Sequence, residues 1–377
     1  MSRQRRAVVI GAGPAGLAAA IALRAAGFEA RVYESRASLR TAGTGLTLWP
    51  NGLAALAAFR ADKPVRDRAL AAPGTAMRTH SGRLLYEVSG EAMDAIGGRG
   101  VAIHRAELIE ALAGQLGPGV LRLGAHCTGV RSEPDRAVAT FDDGTEAEAD
   151  LVVGADGIRS GVRSSCGIPA HLDYGGFMVW RATISFPLPL SPGLLTLGGP
   201  CQFGIWCLPG DRVYWFASAP APAGAHRHGH SRPPELFGRW HEPIGALLTA
   251  TPADLITVTG IYDCPPLPAW SAGRVVLVGD AAHPSLPNMG QGTSQAFEDA
   301  AVLAGSLTAA ADIGLALRDY EARRRRRARA AWSQARMLAR LGGWHSGPAV
   351  WLREHMMTAV PRRAQLSQLE RLFAFRV

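Results

Sequence analysis

The sequence predicts an α/β protein: a discontinuous, Rossmann-like nucleotide-binding domain with an antiparallel β layer inserted into it and helices at its C-terminal end. Three observations carry this. A strand, Ala7-Val8-Val9-Ile10, runs straight into Gly11-Ala12-Gly13-Pro14-Ala15-Gly16. Strand-type segments recur, with helical patterns between several of them, as far as about residue 153, which favours a parallel sheet with helices on its faces. Between about residues 177 and 264 the texture changes to aromatic and β-branched strands, before Val275-Val276-Leu277-Val278 restores a buried-type strand.

The opening motif has the chemistry of a dinucleotide site. Gly11 allows the tight strand-to-helix turn, Gly13 lets the backbone approach a pyrophosphate, Gly16 lets helix and strand pack closely, and the helix N-terminus faces the phosphates. An apolar helix over residues 17–26 and a strand over 29–33 follow, and Glu34 at that strand's end can accept hydrogen bonds from ribose hydroxyls. Further strands are expected over 120–123, 137–141 and 151–153 in the parallel sheet, and over 178–186, 204–208, 213–217 and 256–262 in the antiparallel layer. Residues 220–234 form a Pro/Gly-rich loop, whose His226, His228 and His230 lack the acidic neighbours and fixed geometry that a metal site needs. Gly279-Asp280 and a helix over 293–307 come next, and from Arg318 onward the sequence is helical and arginine-rich. This order assigns residues 1–75, 100–172 and 265–330 to the nucleotide domain, 76–99 and 173–264 to a substrate-binding β domain, and 331–377 to a C-terminal helical segment.

Of the 377 residues, 47% are hydrophobic and 19% charged, which fits a compact protein able to bury a core. A net charge of +9 and a pI near 9.9 raise the question of nucleic acid. The positives are dispersed arginines with Lys63 the only lysine, so no phosphate-tracking surface is expected. The densest run, residues 323–327 with Arg329, reads as a solvated helix face. Arg3, Arg5 and Arg6 before an apolar run imitate a secretory signal, but the phosphate-binding turn lies inside that run. No stretch of about 18 uninterrupted apolar residues appears, so no membrane span is expected. Cys127, Cys166, Cys201, Cys207 and Cys264 show neither a CxxC pair nor a metal spacing, which makes reduced thiols and a cytoplasmic setting the expectation.

Two further motifs narrow the class. Residues 150–160, DLVVGADGIRS, and 273–284, GRVVLVGDAAHP, resemble with the N-terminal fingerprint the paired signatures of the class A flavoprotein monooxygenases, the family of para-hydroxybenzoate, salicylate and uric acid hydroxylases. The resemblance covers nearly the whole chain. It implies a glutathione-reductase-type FAD-binding domain, bound FAD, NADH or NADPH as co-substrate, and dioxygen, with one oxygen atom passed through a flavin hydroperoxide to a small aromatic or heteroaromatic substrate. It assigns Asp280 with Gly279 to the ribityl chain, and Asp156-Gly157 to the loop that serves FAD and the nicotinamide donor. Pro287 would lie beside the reactive flavin carbon, with Gly290, Gln291 and Gly292 at the pyrimidine end, where a positive helix terminus stabilises the reduced flavin's charge. Arg105 and, more weakly, Arg40 match arginines near the flavin; Ala15, Ser35, Arg36 and Cys127 complete the expected cofactor surroundings. The single GxGxxG suits a family in which the donor visits without its own Rossmann domain.

At the substrate end, Tyr214 falls where family members place a tyrosine that contacts or helps activate substrate, and Arg181 interrupts an apolar strand where it could anchor an anion. A core tyrosine and a paired structural arginine are the alternatives. Phe177, Trp180, Phe203, Trp206, Tyr214, Trp215 and Phe216 could together line a flat-ligand pocket or simply build the core. The segment LTLWPN, residues 46–51, resembles uric acid hydroxylases, but Cys201-Gln202-Phe203-Gly204 lacks the arginine expected there in those enzymes. Epoxidation, oxidative decarboxylation and a catalytically silent FAD-binding protein remain open, as does monomer against homodimer. Halogenation needs an active-site lysine, and Lys63 reads as a surface turn.

Overall fold

The computed structural model describes residues 4–39, 43–225 and 233–375. Its central sheet has six strands in the order Ser271–Ala272, Val275–Leu277, Leu151–Gly154, Arg6–Ile10, Glu29–Glu34, Leu121–Leu123. All neighbours are parallel except the first pair. Strands buried on both faces must be apolar throughout, and Val8, Val9, Val152, Val153, Val275 and Val276 all lie in the core. The helix Pro14–Ala25 packs on this sheet, and Gly292–Ala309 packs against that helix. Parallel strands point their carboxyl ends to one edge, the place where open α/β sheets bind ligands. Residues 11–16, 34–36, 155–157 and 278–280 all leave the sheet there.

Residues 137–141 do not join this sheet as the alternation suggested. They form the middle of a separate antiparallel meander with Cys127–Ser132 and Glu146–Ala149. The turn Asp142-Asp143-Gly144-Thr145, with Gly144 at φ 79°, reverses the chain too tightly for a parallel crossover. Tyr33 stacked on Phe141 at 4.6 Å joins the meander to the main sheet.

A second large sheet has seven strands, ordered Thr257–Asp263, Asp173–Ser185, Arg212–Pro220, Cys201–Leu208, Gly193–Gly198, Gly74–Thr79, Leu84–Ser89. It is antiparallel apart from one parallel pair, Gly193–Gly198 beside Gly74–Thr79, which joins two distant parts of the chain. Side chains alternate across a strand. One face therefore buries Trp180, Phe203 and Trp215 under the helices Pro233–Phe237 and Ile244–Ala250. Trp215 satisfies its indole N–H on Thr251 Oγ1 at 3.0 Å, so a large apolar body is buried with no polar penalty. The opposite face bears Val179, Arg181, Thr183, Tyr214 and Phe216; Val179 and Phe216 pack with Leu286 and Met289, and Tyr214 with Ala102.

Asp312 caps the long helix Ile313–Gly342 by accepting from Leu315 N at 2.8 Å, and this helix runs unbroken past residue 330. The helices Gly347–Ala359 and Arg362–Phe373 follow it.

Candidate active site

The glycines at the sheet edge fall into two sets. Gly11 sits at φ 105°, and a Cβ there would meet Ala155 O at 2.5 Å; a Cβ on Gly16 would overlap Gly11 O. Gly279, at φ 60°, would bring a Cβ to 2.8 Å from Ala15 Cβ. The fold itself requires these three. Gly13 and Gly292 are different, because a Cβ on either meets no protein atom within 4 Å. Each lies at a helix start without a side-chain cap: Gly13 before Pro14–Ala25, and Gly292 opening Gly292–Ala309. Uncapped N–H groups beside empty space suit a pyrophosphate at the first terminus and the flavin's pyrimidine carbonyls at the second.

The other cofactor candidates converge on the same edge. Glu34 Oε2 accepts from Ala12 N at 2.8 Å, while its Oε1 accepts from Arg36 N at 3.0 Å and Ser35 Oγ at 3.2 Å, fixing the carboxylate beside the glycine turn. Asp156 Oδ2 accepts from Val162 N at 3.0 Å, and its Oδ1 is buried with no protein partner, a polar atom left for a ligand. Next to it, Gly157 turns at φ 83°. Arg163 ties the two motifs together by donating to Ile158 O at 2.8 Å and Ala281 O at 2.9 Å. Cys127 begins the meander; its Sγ donates to Gly129 O at 3.4 Å, and burial, with Asp156 nearby, raises its thiol.

Asp280 keeps accessible surface although protein atoms surround it, as at the floor of a cleft reached from one side. That crowding raises its carboxyl above the usual value, against the pull of His283 and Arg105. Arg105 thus faces Asp280 from the start of the helix Arg105–Ala113. Pro287 and Gly290 are exposed at either end of a short turn closed by Gly290 N to Pro287 O at 2.8 Å. Gln291 turns inward instead: its side chain is buried and bonds Asn51. Arg40, like His226, His228 and His230, lies outside the described residues.

Beneath the turns at Gly279 and Gly290 lies a buried charge network. Asp299 accepts from Gly279 N at 2.8 Å, His283 Nε2 at 2.6 Å and Arg324 Nε at 2.8 Å. Burial pushes its carboxyl up, but His283 and Arg324 outweigh this and hold it below the ordinary range. Glu298 takes Asn51 Nδ2 at 2.7 Å and pairs with Arg324 and Arg327. Arg324, only 1% exposed, and Arg327, paired with buried Glu298, depart from the reading of residues 323–327 as a solvated face, while Arg323 and Arg326 are exposed. The helical spacing of Leu317, Tyr320, Arg324 and Ala328, all buried, is the sequence signal that it points inward.

On the β-sheet side, the aromatic set divides by strand parity. Trp180, Phe203 and Trp215 are core, whereas Trp206, Tyr214 and Phe216 face the cofactor edge, with Trp206 stacked on Phe216 at 5.6 Å. Tyr214 is buried against the strand Gly45–Leu48, where any Cβ at Gly45 would overlap its ring. Burial raises its phenol above the usual 10.0, and Arg181 partly opposes the shift by charge and hydrogen bonding. Arg181 donates to Thr259 Oγ1 at 2.8 Å and has no ion pair among the described residues. Sequence reasoning missed Trp49 and Asn288, whose buried Nε1 and Oδ1 lack protein partners near Gly290.

The FAD binding domain family matches residues 4–335. Aurachin C monooxygenase/isomerase of Stigmatella aurantiaca is 34% identical over 359 residues, covering 93% of each chain. The 3-amino-4-hydroxybenzoate 2-monooxygenase of Streptomyces cremeus is 34% identical over 386 residues, covering 98% of this chain and 95% of its own. The structure of Klebsiella pneumoniae HpxO complexed with FAD and uric acid superposes with a TM-score of 0.90 at 26% identity, over 99% and 97% of the two chains. Matched by the FAD binding domain family over residues 4–335 and alike over nearly its whole length with such enzymes, the chain belongs to the FAD-binding family and within it to the class A FAD-dependent aromatic monooxygenases.

Proposed function

We propose that this enzyme hydroxylates a small aromatic or heteroaromatic substrate held between the cofactor edge and the Trp206-Tyr214-Phe216 face, using NADH or NADPH and dioxygen. The observation that carries it is the contact of Gly45 with Tyr214, which sets a polar phenol against the strand bordering the flavin cleft. When bound, FAD would supply the activated oxygen. The chain's own residues supply order and dryness.

Tyr214, its phenol raised by burial, is protonated at neutral pH. It therefore orients a substrate oxygen by hydrogen bonding and does not act as the base. Arg181, steadied by Thr259, is placed to draw an anionic or electron-rich oxygen to the same end. Leu286, Met289, Val179 and Phe216 form an apolar cluster that keeps water from the flavin side. The segment Cys201-Gln202-Phe203-Gly204, which lacks the arginine expected there in uric acid hydroxylases, carries no charge, which disfavours urate. Assigning residues 1–75, 100–172 and 265–330 to the flavin domain and 76–99 and 173–264 to the substrate domain is supported by the separation of their strands into two large sheets, although the strand Gly74–Thr79 straddles the first boundary.

The test is donor oxidation by the purified holoenzyme against a panel of hydroxybenzoates, aminohydroxybenzoates, hydroxypyridines, quinolones and urate, with product mass as readout. The proposal expects at least one aromatic to accelerate NADH or NADPH oxidation and gain one oxygen atom. Loss of carbon dioxide or epoxide formation would redirect it to the alternative oxygenations, and no stimulation by any aromatic would refute it.

A further inference from the structure

The helix Gly347–Ala359 presents an apolar face that no part of the described chain covers. Trp351 is 60% exposed, Leu352 46%, Met356 51%, and Val360 just beyond it 40%. Leu352, Met356 and Val360 recur at the four-residue helical spacing, and Trp351 lies beside Leu352 with its ring tilted against His355. The opposite side anchors the helix: Arg353, 2% exposed, donates to Gly199 O at 3.0 Å and to Leu341 O at 3.2 Å. The outward face is therefore fixed in orientation. Scattered apolar residues are ordinary on a surface, but a contiguous stripe with a tryptophan is not.

Next to the stripe two arginines are exposed. Val360 and Arg362 line a cleft of about 450 Å³ with Leu84, Tyr86 and one acid, Glu87. The acid on the stripe's helix, Glu354, is neutralised by Arg83. Arg362 and Arg363 are exposed in the first turn of Arg362–Phe373 and have no ion pair among the described residues. Cations in a first turn oppose the helix dipole, an arrangement relieved by an external anion.

We propose that this face docks the enzyme on an anionic lipid surface, with Trp351, Leu352, Met356 and Val360 entering the interface and Arg362 and Arg363 meeting lipid phosphates. An apolar face flanked by arginines is the pattern of an interfacial helix. No helix among the described residues is long and apolar enough to cross a membrane, so the contact lies along the surface. A second copy is the weaker occupant, because a two-fold contact through the stripe would bring Arg362 and Arg363 towards their own counterparts.

The test is co-sedimentation of the FAD-loaded enzyme with vesicles of phosphatidylcholine alone or with about one third phosphatidylglycerol. The wild type should pellet with the anionic vesicles and be released by about 1 M salt, which shortens the screening length to about 3 Å. Replacing Trp351, Leu352 and Met356 together by Ser should lower partitioning at least about tenfold, with flavin content unchanged. Arg362→Gln and Arg363→Gln should each lower it about fivefold; this pair is the independent check if the triple variant loses flavin. Equal pelleting of the wild type and both variant sets would overturn the proposal. So would absence of vesicle binding, including the case where sedimentation velocity shows a dimer that the triple variant converts to monomer.

Discussion

Replacing Gly13 and Gly16 in turn by alanine separates what the fold needs from what the cofactor needs. At Gly16 the new methyl overlaps Gly11 O and lies 3.2 Å from Ala155 Cβ, so backbone must move. Overpacking of this kind costs about 1–3 kcal/mol, and the cofactor-free protein itself should lose that stability. At Gly13 the methyl enters open space, and φ −73° with ψ 176° is extended backbone that alanine adopts freely. The cofactor-free Gly13→Ala protein should therefore stay within about 1 kcal/mol of wild type, the scale of an N-cap change. FAD should notice: losing one or two charge-assisted hydrogen bonds to pyrophosphate, about 1.5–3 kcal/mol each, weakens binding at least about tenfold. Thermal unfolding without FAD and fluorescence titration with FAD measure the two quantities. Equal destabilisation of both cofactor-free variants, or unchanged FAD affinity in Gly13→Ala, would show that the open space does not belong to the pyrophosphate.

Asp280→Ala should weaken FAD by about 1.5–3 kcal/mol, or roughly ten- to a hundredfold, while leaving the cofactor-free protein no less stable, since its crowded carboxylate is already disfavoured; equilibrium dialysis and thermal unfolding check both. Tyr214→Phe should retain FAD yet slow hydroxylation at least about tenfold and raise uncoupled peroxide, the loss of one hydrogen bond of about 1.5 kcal/mol, measured as product formed per NAD(P)H oxidised. Because the Tyr214 phenol is raised, its contribution to stability is complete below its ordinary pKa of 10.0 and is lost as pH rises through the higher folded value, so alkaline melts of wild type and Tyr214→Phe should diverge only above about pH 10. Arg324→Met leaves Glu298 and Asp299 short of a buried partner and should cost about 3–5 kcal/mol in chemical denaturation.

The glycine turns at the sheet edge were legible because their signal is conformational. Gly11, Gly16 and Gly279 sit where a Cβ cannot fit, and a chain read only as letters already carries that constraint. The aromatic strands were legible as strands but not as a site, since the sort into core and cleft depends on parity: Trp215 and Tyr214 are neighbours on opposite faces. The meander over 127–149 was misread because a short apolar strand looks alike in parallel and antiparallel sheets; the Asp143-Gly144 turn was the available clue. Arg324 was hidden by its own neighbourhood, the one fully buried arginine in a run of five, whose acidic partners lie on another helix. Unpartnered Trp49 Nε1 and Asn288 Oδ1 are visible only once burial is known.

Oxygen-isotope tracing tests the central claim most directly. The holoenzyme, an accepted aromatic and NADH or NADPH under ¹⁸O₂ in ordinary water should give product carrying one ¹⁸O atom, and the same reaction under ordinary dioxygen in ¹⁸O-water should give none. Label arriving from water, or donor and dioxygen consumed with every aromatic returned unchanged, would contradict monooxygenation at this site.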